Sequence, residues 1–430
     1  MSTTGLSPAP VPTAGPTIDT VPVVSRKTPI IFGVLTLALV LILLLEGQSG
    51  ETTFRLAART DFATLPELTV PSMGGAWALA VACALLTAES VRRYAGRRRT
   101  AAWVLVAFAV AWMAGFLTWA AAGETVPVVG LLAGSIALAV PLVFGALGGV
   151  LGERAGVVNI AIDGQLLLGA FAAALVGSLT GSPWAGLVAA MVAGALVAVV
   201  LGLFAITYFV DQVIVGVVLN VLVIGLTSFL FSQVLAPNAA SLNTPPRFPR
   251  IPIPVLGDIP LVGPVFFRQT AVVYLLYIAV ALVSYALYRT RWGLRVRAVG
   301  EHPKAADTVG IKVNRTRYRT ILLAGAIAGM GGAFYTLVSV PQFNREMTGG
   351  AGYIALAAVI FGKWDPIRAT MAALLFGFAS NLQGVLAVLG SPVPSQFMLM
   401  LPYVITIFAV AGLVGRSRPP AADGVPYQKE

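Results

Sequence analysis

The stretch Gly152-Glu153-Arg154-Ala155-Gly156-Val157-Val158-Asn159-Ile160-Ala161-Ile162-Asp163-Gly164-Gln165 sets ionisable and amide side chains between two stretches that otherwise read as membrane spans. Hydrocarbon offers such groups no water. A charge near mid-bilayer costs at least about 2.5–3.5 kcal/mol, and the residues that carry one line a path or a seam between protein surfaces. The segment therefore marks a conduit.

Working outward, 58% of the 430 residues are hydrophobic, only 10% are charged, and the mean hydropathy is +0.88. Soluble chains carry roughly a quarter charged residues, so the expected class is an all-α polytopic membrane protein. The runs 29–45, 101–122, 184–209, 212–236, 271–288 and 321–340 each come near the roughly 20 apolar residues that cross about 30 Å of hydrocarbon. With the shorter and broken runs there are about twelve hydrophobic segments, giving about 10–12 transmembrane or re-entrant helices. The least regular is 353–361, too short for a straight span and suited to a half helix buried in protein.

The net charge of +11 does not point to nucleic acid, because the basic residues fall in short blocks beside apolar runs, as cytoplasmic loops do. The single cysteine, Cys83, and the single histidine, His302, can build neither a disulfide framework, nor a metal site, nor a catalytic triad. No small-residue cleavage site follows the first apolar run, which reads as an uncleaved span.

Topology follows from the charges. Residues 1–27, rich in Pro, Thr and Ser, read as a disordered cytoplasmic tail held inside by Arg26 and Lys27. Residues 28–125 hold three N-terminal spans, with Arg92, Arg93, Arg97, Arg98 and Arg99 inside. The eight prolines of 237–268 exclude a helix interior and make that segment an external loop. The basic stretch 289–319 is cytoplasmic, as is a tail at 416–430, so both termini lie inside.

Within the basic stretch, Gly300-Glu301-His302-Pro303-Lys304-Ala305-Ala306-Asp307-Thr308-Val309-Gly310 has the punctuation of a two-turn helix. Pro303 fits the first helical position and Gly310 the left-handed residue that ends a helix. A short capped helix in a cytoplasmic loop is a rigid handle for a partner, although the same pattern suits a helix lying on the lipid surface.

The run Thr290-Arg291-Trp292-Gly293-Leu294-Arg295-Val296-Arg297-Ala298-Val299-Gly300-Glu301, continuing through Ala305-Ala306 to Gly310-Ile311, resembles the coupling loop of ABC importer permeases for branched-chain amino acids, ribose-type sugars and nucleosides. Glu153 to Ile160 with Gly164 and 167–171 is similar to the nucleoside and simple-sugar branch. So are Asp211-Gln212-Val213-Ile214 with Leu219-Asn220, and 353–366. Asp163 stands where that branch has glutamate, and Ala161 where glycine is common. The resemblance covers about 126–415, the permease core, and leaves 1–125 outside.

The resemblance implies a permease subunit in the cell membrane that works with a second permease, identical or homologous, with a separate ABC ATPase subunit that uses ATP and Mg, and with an external substrate-binding lipoprotein. It also implies a coupling loop at Glu301, His302, Pro303, Lys304, Ala305, Ala306, Asp307 and Gly310. The chain itself lacks a G-x-x-x-x-G-K-[ST] phosphate loop, so no ATP hydrolysis and no bound cofactor are expected of it. Polar residues inside or ending apolar runs, Asn159, Asp163, Gln165, Asn220, Asn381 and Gln383, are candidates for the path of a small-molecule substrate. Each could instead bond a neighbouring helix, a bond worth about 0.6 kcal/mol on average. Asp163 and Glu153 could pair with Arg154, and Phe231, Tyr353 and Trp364 could stack a purine or serve as core. A gradient-driven secondary transporter with Asp163 as proton site is the rival mechanism, and a permease for branched-chain amino acids the rival substrate class. A membrane enzyme lacks a convergent set of catalytic groups.

Overall fold

The computed structural model describes residues 26–57, 65–394, 396–397, 400 and 418–429. The expected tail 1–27 lies almost wholly outside them, as does most of the apolar stretch 397–414. Among the described residues, ten helices are long and apolar enough to cross a membrane, in an all-α polytopic architecture.

The chain divides into two compact units. The first holds α1 (Lys27–Leu45), α2 (Ser72–Ala95) and α3 (Ala102–Ala120). Phe32 of α1 stacks on Phe108 of α3 with ring centroids 3.8 Å apart, and the Trp112 indole donates to the Leu35 carbonyl at 2.9 Å. Cys83 is buried in the same cluster, a small core residue.

The second unit is built around α4 (Val128–Arg154), preceded by strands β1 (Glu51–Arg55), β2 (Leu68–Pro71) and β3 (Thr125–Pro127) in the order β2-β1-β3. Helices α5 (Ile162–Thr180), α6 (Pro183–Gly202) and α7 (Gln212–Leu230) follow, the last two each prolonged by a five-residue π-helical turn. The proline-rich loop holds a four-residue turn of helix, α8 (Ala239–Leu242), a five-residue π-helical turn (Gly263–Phe267), and a short antiparallel pair, β4 (Arg250–Pro252) with β5 (Arg268–Thr270). Then come α9 (Ala271–Arg289), α10 (Arg291–Glu301), α11 (Pro303–Thr308), α12 (Val313–Phe334), α13 (Ala351–Phe361) and α14 (Pro366–Val388).

Glycine spacing sets the closest approaches. Gly325 and Gly329 of α12 face Gly194 and Ala190 of α6 so tightly that a Cβ at 329 would overlap the Ala190 carbonyl. Gly148 meets the Ala324 carbonyl of α12 in the same way, with 2.7 Å left for a Cβ. Without a hydrophobic drive between helices in lipid, such small-residue seams let dispersion contacts hold the bundle.

Helix α12 begins eight residues before the apolar run at 321. Hydropathy marks where hydrocarbon starts, whereas Arg315, Arg317 and Arg319 extend the same helix beyond it. The short segment at 353–361 also takes a definite form. Helix α13 spans eleven residues, about 16 Å at 1.5 Å per residue and half of a 30 Å core. It runs alongside α4, with Ala355 against Gly145 and Val359 against Gly149. Trp364 just beyond it donates to Glu153. At its other end the irregular chain at 340–350 reaches Phe343, whose backbone exchanges two bonds with the Asn243 side chain, at 2.7 and 3.0 Å. The neighbouring Thr244 amide is held by Ser178 near the far end of α5. The segment thus links the Asn243 end of the bundle to the Glu153 end as an eleven-residue helix preceded by irregular backbone, in which Phe343 and Thr348 are buried while Gln342 and residues 344–346 are exposed.

Candidate functional site

The polar segment read first in the sequence forms a re-entrant turn. Residues 155–161 fold back from the end of α4, so that Ile162 lies beside Gly145 and Gly149, inside the bundle. Gly156, at φ +81°, makes the reversal possible.

Four of the six path candidates converge on this turn. Asn159 and Gln165, both fully buried, exchange amide bonds of 3.0 and 3.3 Å and so satisfy each other away from water. Asn220 of α7 accepts from the Gly164 amide at 2.8 Å, and donates to the Ile160 carbonyl at 2.9 Å and the Tyr353 hydroxyl at 3.1 Å. Asp163, 3% exposed, accepts from the Gly352 amide at 2.9 Å and from the Thr348 hydroxyl at 3.3 Å. Gly352 opens α13, so the carboxylate sits where the helix dipole is positive and an amide lacks an intrahelical partner. One side chain on α5 thereby anchors the half helix.

Three members of this network, Thr348, Gly352 and Gln212, were not among the sequence candidates. Gln212 accepts from the Val158 amide at 2.7 Å and ties the turn to the start of α7, which Asp211 caps through Val213 and Ile214. The faint signal for them was position: Gln212 lies inside one of the motif blocks that carry the family resemblance, Gly352 directly precedes another, and Thr348 stands shortly before it. Asn381 lies elsewhere. It donates to the Leu131 carbonyl at 2.7 Å near the opposite end of α4, and Gln383 sits half-buried two residues on. Asn381 backs Gly134 in the wall of a cavity of about 520 Å³ that is also lined by Arg55, Arg250 and Arg268.

At the end of α4, the expected pairing with Arg154 is not formed by either acid. Glu153 accepts from the Trp364 indole, and Asp163 is held by α13. Arg154 instead donates to the Trp364 carbonyl at 2.9 Å and pairs with Glu301 at 3.9 Å. The sharp turn after α13 brings both its indole and its carbonyl to α4, which outcompetes pairing between sequence neighbours. Trp364 is 6% exposed and belongs to the core.

The helix punctuation at 301–310 is realised. Pro303 opens α11, the His302 imidazole caps it by accepting from the Ala305 amide at 3.2 Å, and Gly310 ends it at φ +84°. Its outer face, with Lys304, Ala305, Thr308 and Val309, is exposed, while Ala306 is buried beneath it. Among the described residues, no group of three His, Cys, Asp or Glu side chains is placed to hold a metal ion.

Residues 131–410 match the family described as the branched-chain amino acid transport system / permease component. The chain belongs to this family. It is 43% identical over 304 residues to the guanosine ABC transporter permease protein NupQ of Bacillus subtilis, covering 69% of this chain and 95% of that one. It is 37% identical over 314 residues to the nucleoside ABC transporter permease protein NupC of Lactococcus lactis, covering 70% and 96%. A second guanosine permease of the same Bacillus, NupP, is similar at 23% over 294 residues, covering 66% and 83%. No solved structure matches the chain significantly. The protein is a multi-pass membrane permease, a transport subunit of the ABC type.

Proposed function

We propose that this chain forms the translocation path of an ATP-driven importer for nucleosides, with related simple sugars as the neighbouring substrate class. The observation that carries the reading is the similarity to guanosine and nucleoside permeases over almost their whole length. The capped helix α11, with an exposed face and a buried one, supports the coupling half of it. A separate ATPase subunit binds the outer face of α11 and supplies the ATP and Mg chemistry. An external substrate-binding lipoprotein delivers the substrate on the face of the proline-rich loop.

The permease core at 126–415 works beside a second, homologous permease. Two different guanosine permeases from one organism, NupQ and NupP, resemble this chain to different degrees, which fits a pair of unlike subunits. Residues 28–125 are additional membrane helices outside that core, and both termini face the cytoplasm.

In this reading the Asp163 network is the gate. ATPase closure pulls α11, the pull reaches the 155–161 turn, and the half helix α13 moves with Asp163. Asn159 and Gln165 close on each other in the state described here, and Tyr353, about half exposed, borders the route with Asn220. The test is uptake of labelled guanosine, adenosine, uridine, ribose and leucine by cells with and without the chain. Loss of nucleoside uptake alone supports the reading, and loss of leucine uptake alone refutes its substrate class.

A further inference from the structure

The segment 418–429, expected only as a cytoplasmic tail, is docked. Its Ala422 amide donates to the Gly300 carbonyl at 2.9 Å, and the Ala421 amide to Glu301 at 3.2 Å. Arg317, 1% exposed, donates from the base of α12 to the Val425 carbonyl at 2.9 Å. Tyr427 is buried with Val299, Ala306 and Val313, and Lys429 approaches Asp307 at 4.0 Å. The same segment touches the re-entrant turn. A Cβ on Gly156 would come within 2.9 Å of the Ala422 carbonyl, and one on Gly424 would reach Val158 at 3.4 Å.

One short segment therefore bridges the coupling helix and the turn that leads to Asn159 and Asp163. Helix α11 itself has only six residues, of which Ala306 alone is buried, so its inner face needs a backing if a pull on it is to move anything else. Tyr427 supplies that backing. The tail covers the buried side at Ala306 and leaves Lys304, Ala305, Thr308 and Val309 exposed, which separates its site from the face a partner would occupy.

We infer that residues 420–429 are a transmission strap that positions the coupling helix against the gate turn, with Tyr427 as its positioning residue. The inference rests on the importer reading above. The strap moves with α11 during turnover. A brake, by contrast, would have to leave before the ATPase could bind.

The experiment uses the full complex in proteoliposomes, with Tyr427→Ala, Tyr427→Phe and Gln428→Ala in this chain, reading guanosine uptake, ATP hydrolysis and retention of the ATPase subunit. Tyr427→Ala is expected to lower uptake on the order of tenfold while hydrolysis and subunit retention persist, with Tyr427→Phe near wild type and Gln428→Ala silent. Unchanged uptake in Tyr427→Ala, raised hydrolysis with raised uptake, or loss of the ATPase subunit would each overturn it. A second measurement ties Lys429→Cys to Asp307→Cys with a thiol cross-linker in a Cys83→Ala background. Uptake retained after cross-linking fits a strap, and uptake abolished contradicts it. If the unaltered complex hydrolyses ATP but imports no nucleoside, the substrate reading fails. The strap is then judged by whether Tyr427→Ala uncouples hydrolysis from binding-protein stimulation; stimulation left intact would refute it.

Discussion

The Asp163 carboxylate and the Gly352 amide meet at 2.9 Å across 189 residues of sequence, joining the first turn of α5 to the first turn of the half helix α13. The bond accounts for an acid in an apolar bundle. The carboxylate replaces water with an amide at a helix start, a hydroxyl from Thr348 and the positive end of a helix dipole.

Asp163→Asn keeps an acceptor at this position and is expected to preserve transport within a few-fold, whereas Asp163→Ala removes the cap. Losing such a cap costs about 0.5–2 kcal/mol, which appears as a lower Tm in detergent together with reduced uptake. Abolished uptake in Asp163→Asn with an unchanged Tm would instead point to a proton-carrying acid.

Trp364→Phe removes the indole donor to Glu153 and leaves a buried carboxylate without that partner. The expected destabilisation is about 1–3 kcal/mol. Glu153→Gln in the same background should restore part of it, so a double-mutant cycle on Tm reads the coupling directly. Strictly additive losses would contradict the pairing.

Gly194→Val places a branched side chain where α6 and α12 nearly touch, with Gly329 backbone atoms 2.8 Å from even a Cβ. Overpacking of this kind costs about 1–3 kcal/mol and is expected to lower the yield of monodisperse protein. Gly225→Val on α7, which meets nothing within 4 Å, is the matched control and should be neutral.

The docked tail is expected to respond to pH through Asp423, whose carboxyl is pushed up to about 7 by burial, against the lowering pulls of the Gly424 amide and the Arg317 guanidinium. A free aspartate titrates near about 3.9. The docked form therefore holds the proton more tightly, and docking is strongest below that lower value and weakens as pH rises to about 7. The groups facing Asp423 are Glu153 from α4 and Arg317 from α12. A fluorophore at Gln428→Cys, in a Cys83→Ala background, should report more tail release at pH 8 than at pH 5.5. Asp423→Asn should flatten that profile.

Much of this arrangement is legible in the sequence. Apolar run length located the long helices, because the bilayer fixes how many apolar residues a crossing needs. Proline and glycine located α11, because each restricts the backbone in a known way at a helix end. Asn159, Asp163, Gln165 and Asn220 were identifiable because polar groups in hydrocarbon must have partners. Which partners they take was not legible, since Gly352 and Tyr353 reach them only through tertiary packing. The same limit applies to Arg154, whose pairing with Glu301 depends on where α10 ends. The tail at 418–429 carried no hydropathy signal at all, and its docking depends on backbone bonds that composition does not encode.

The most direct test of the account is guanosine uptake by the reconstituted complex when the exposed face of α11 is changed by Ala305→Asp with Val309→Asp. The account predicts that wild-type uptake requires internal ATP, and that the double variant loses uptake while the permease itself remains folded. Uptake that survives both the substitutions and ATP depletion, and collapses when the ion gradient is dissipated, would contradict it.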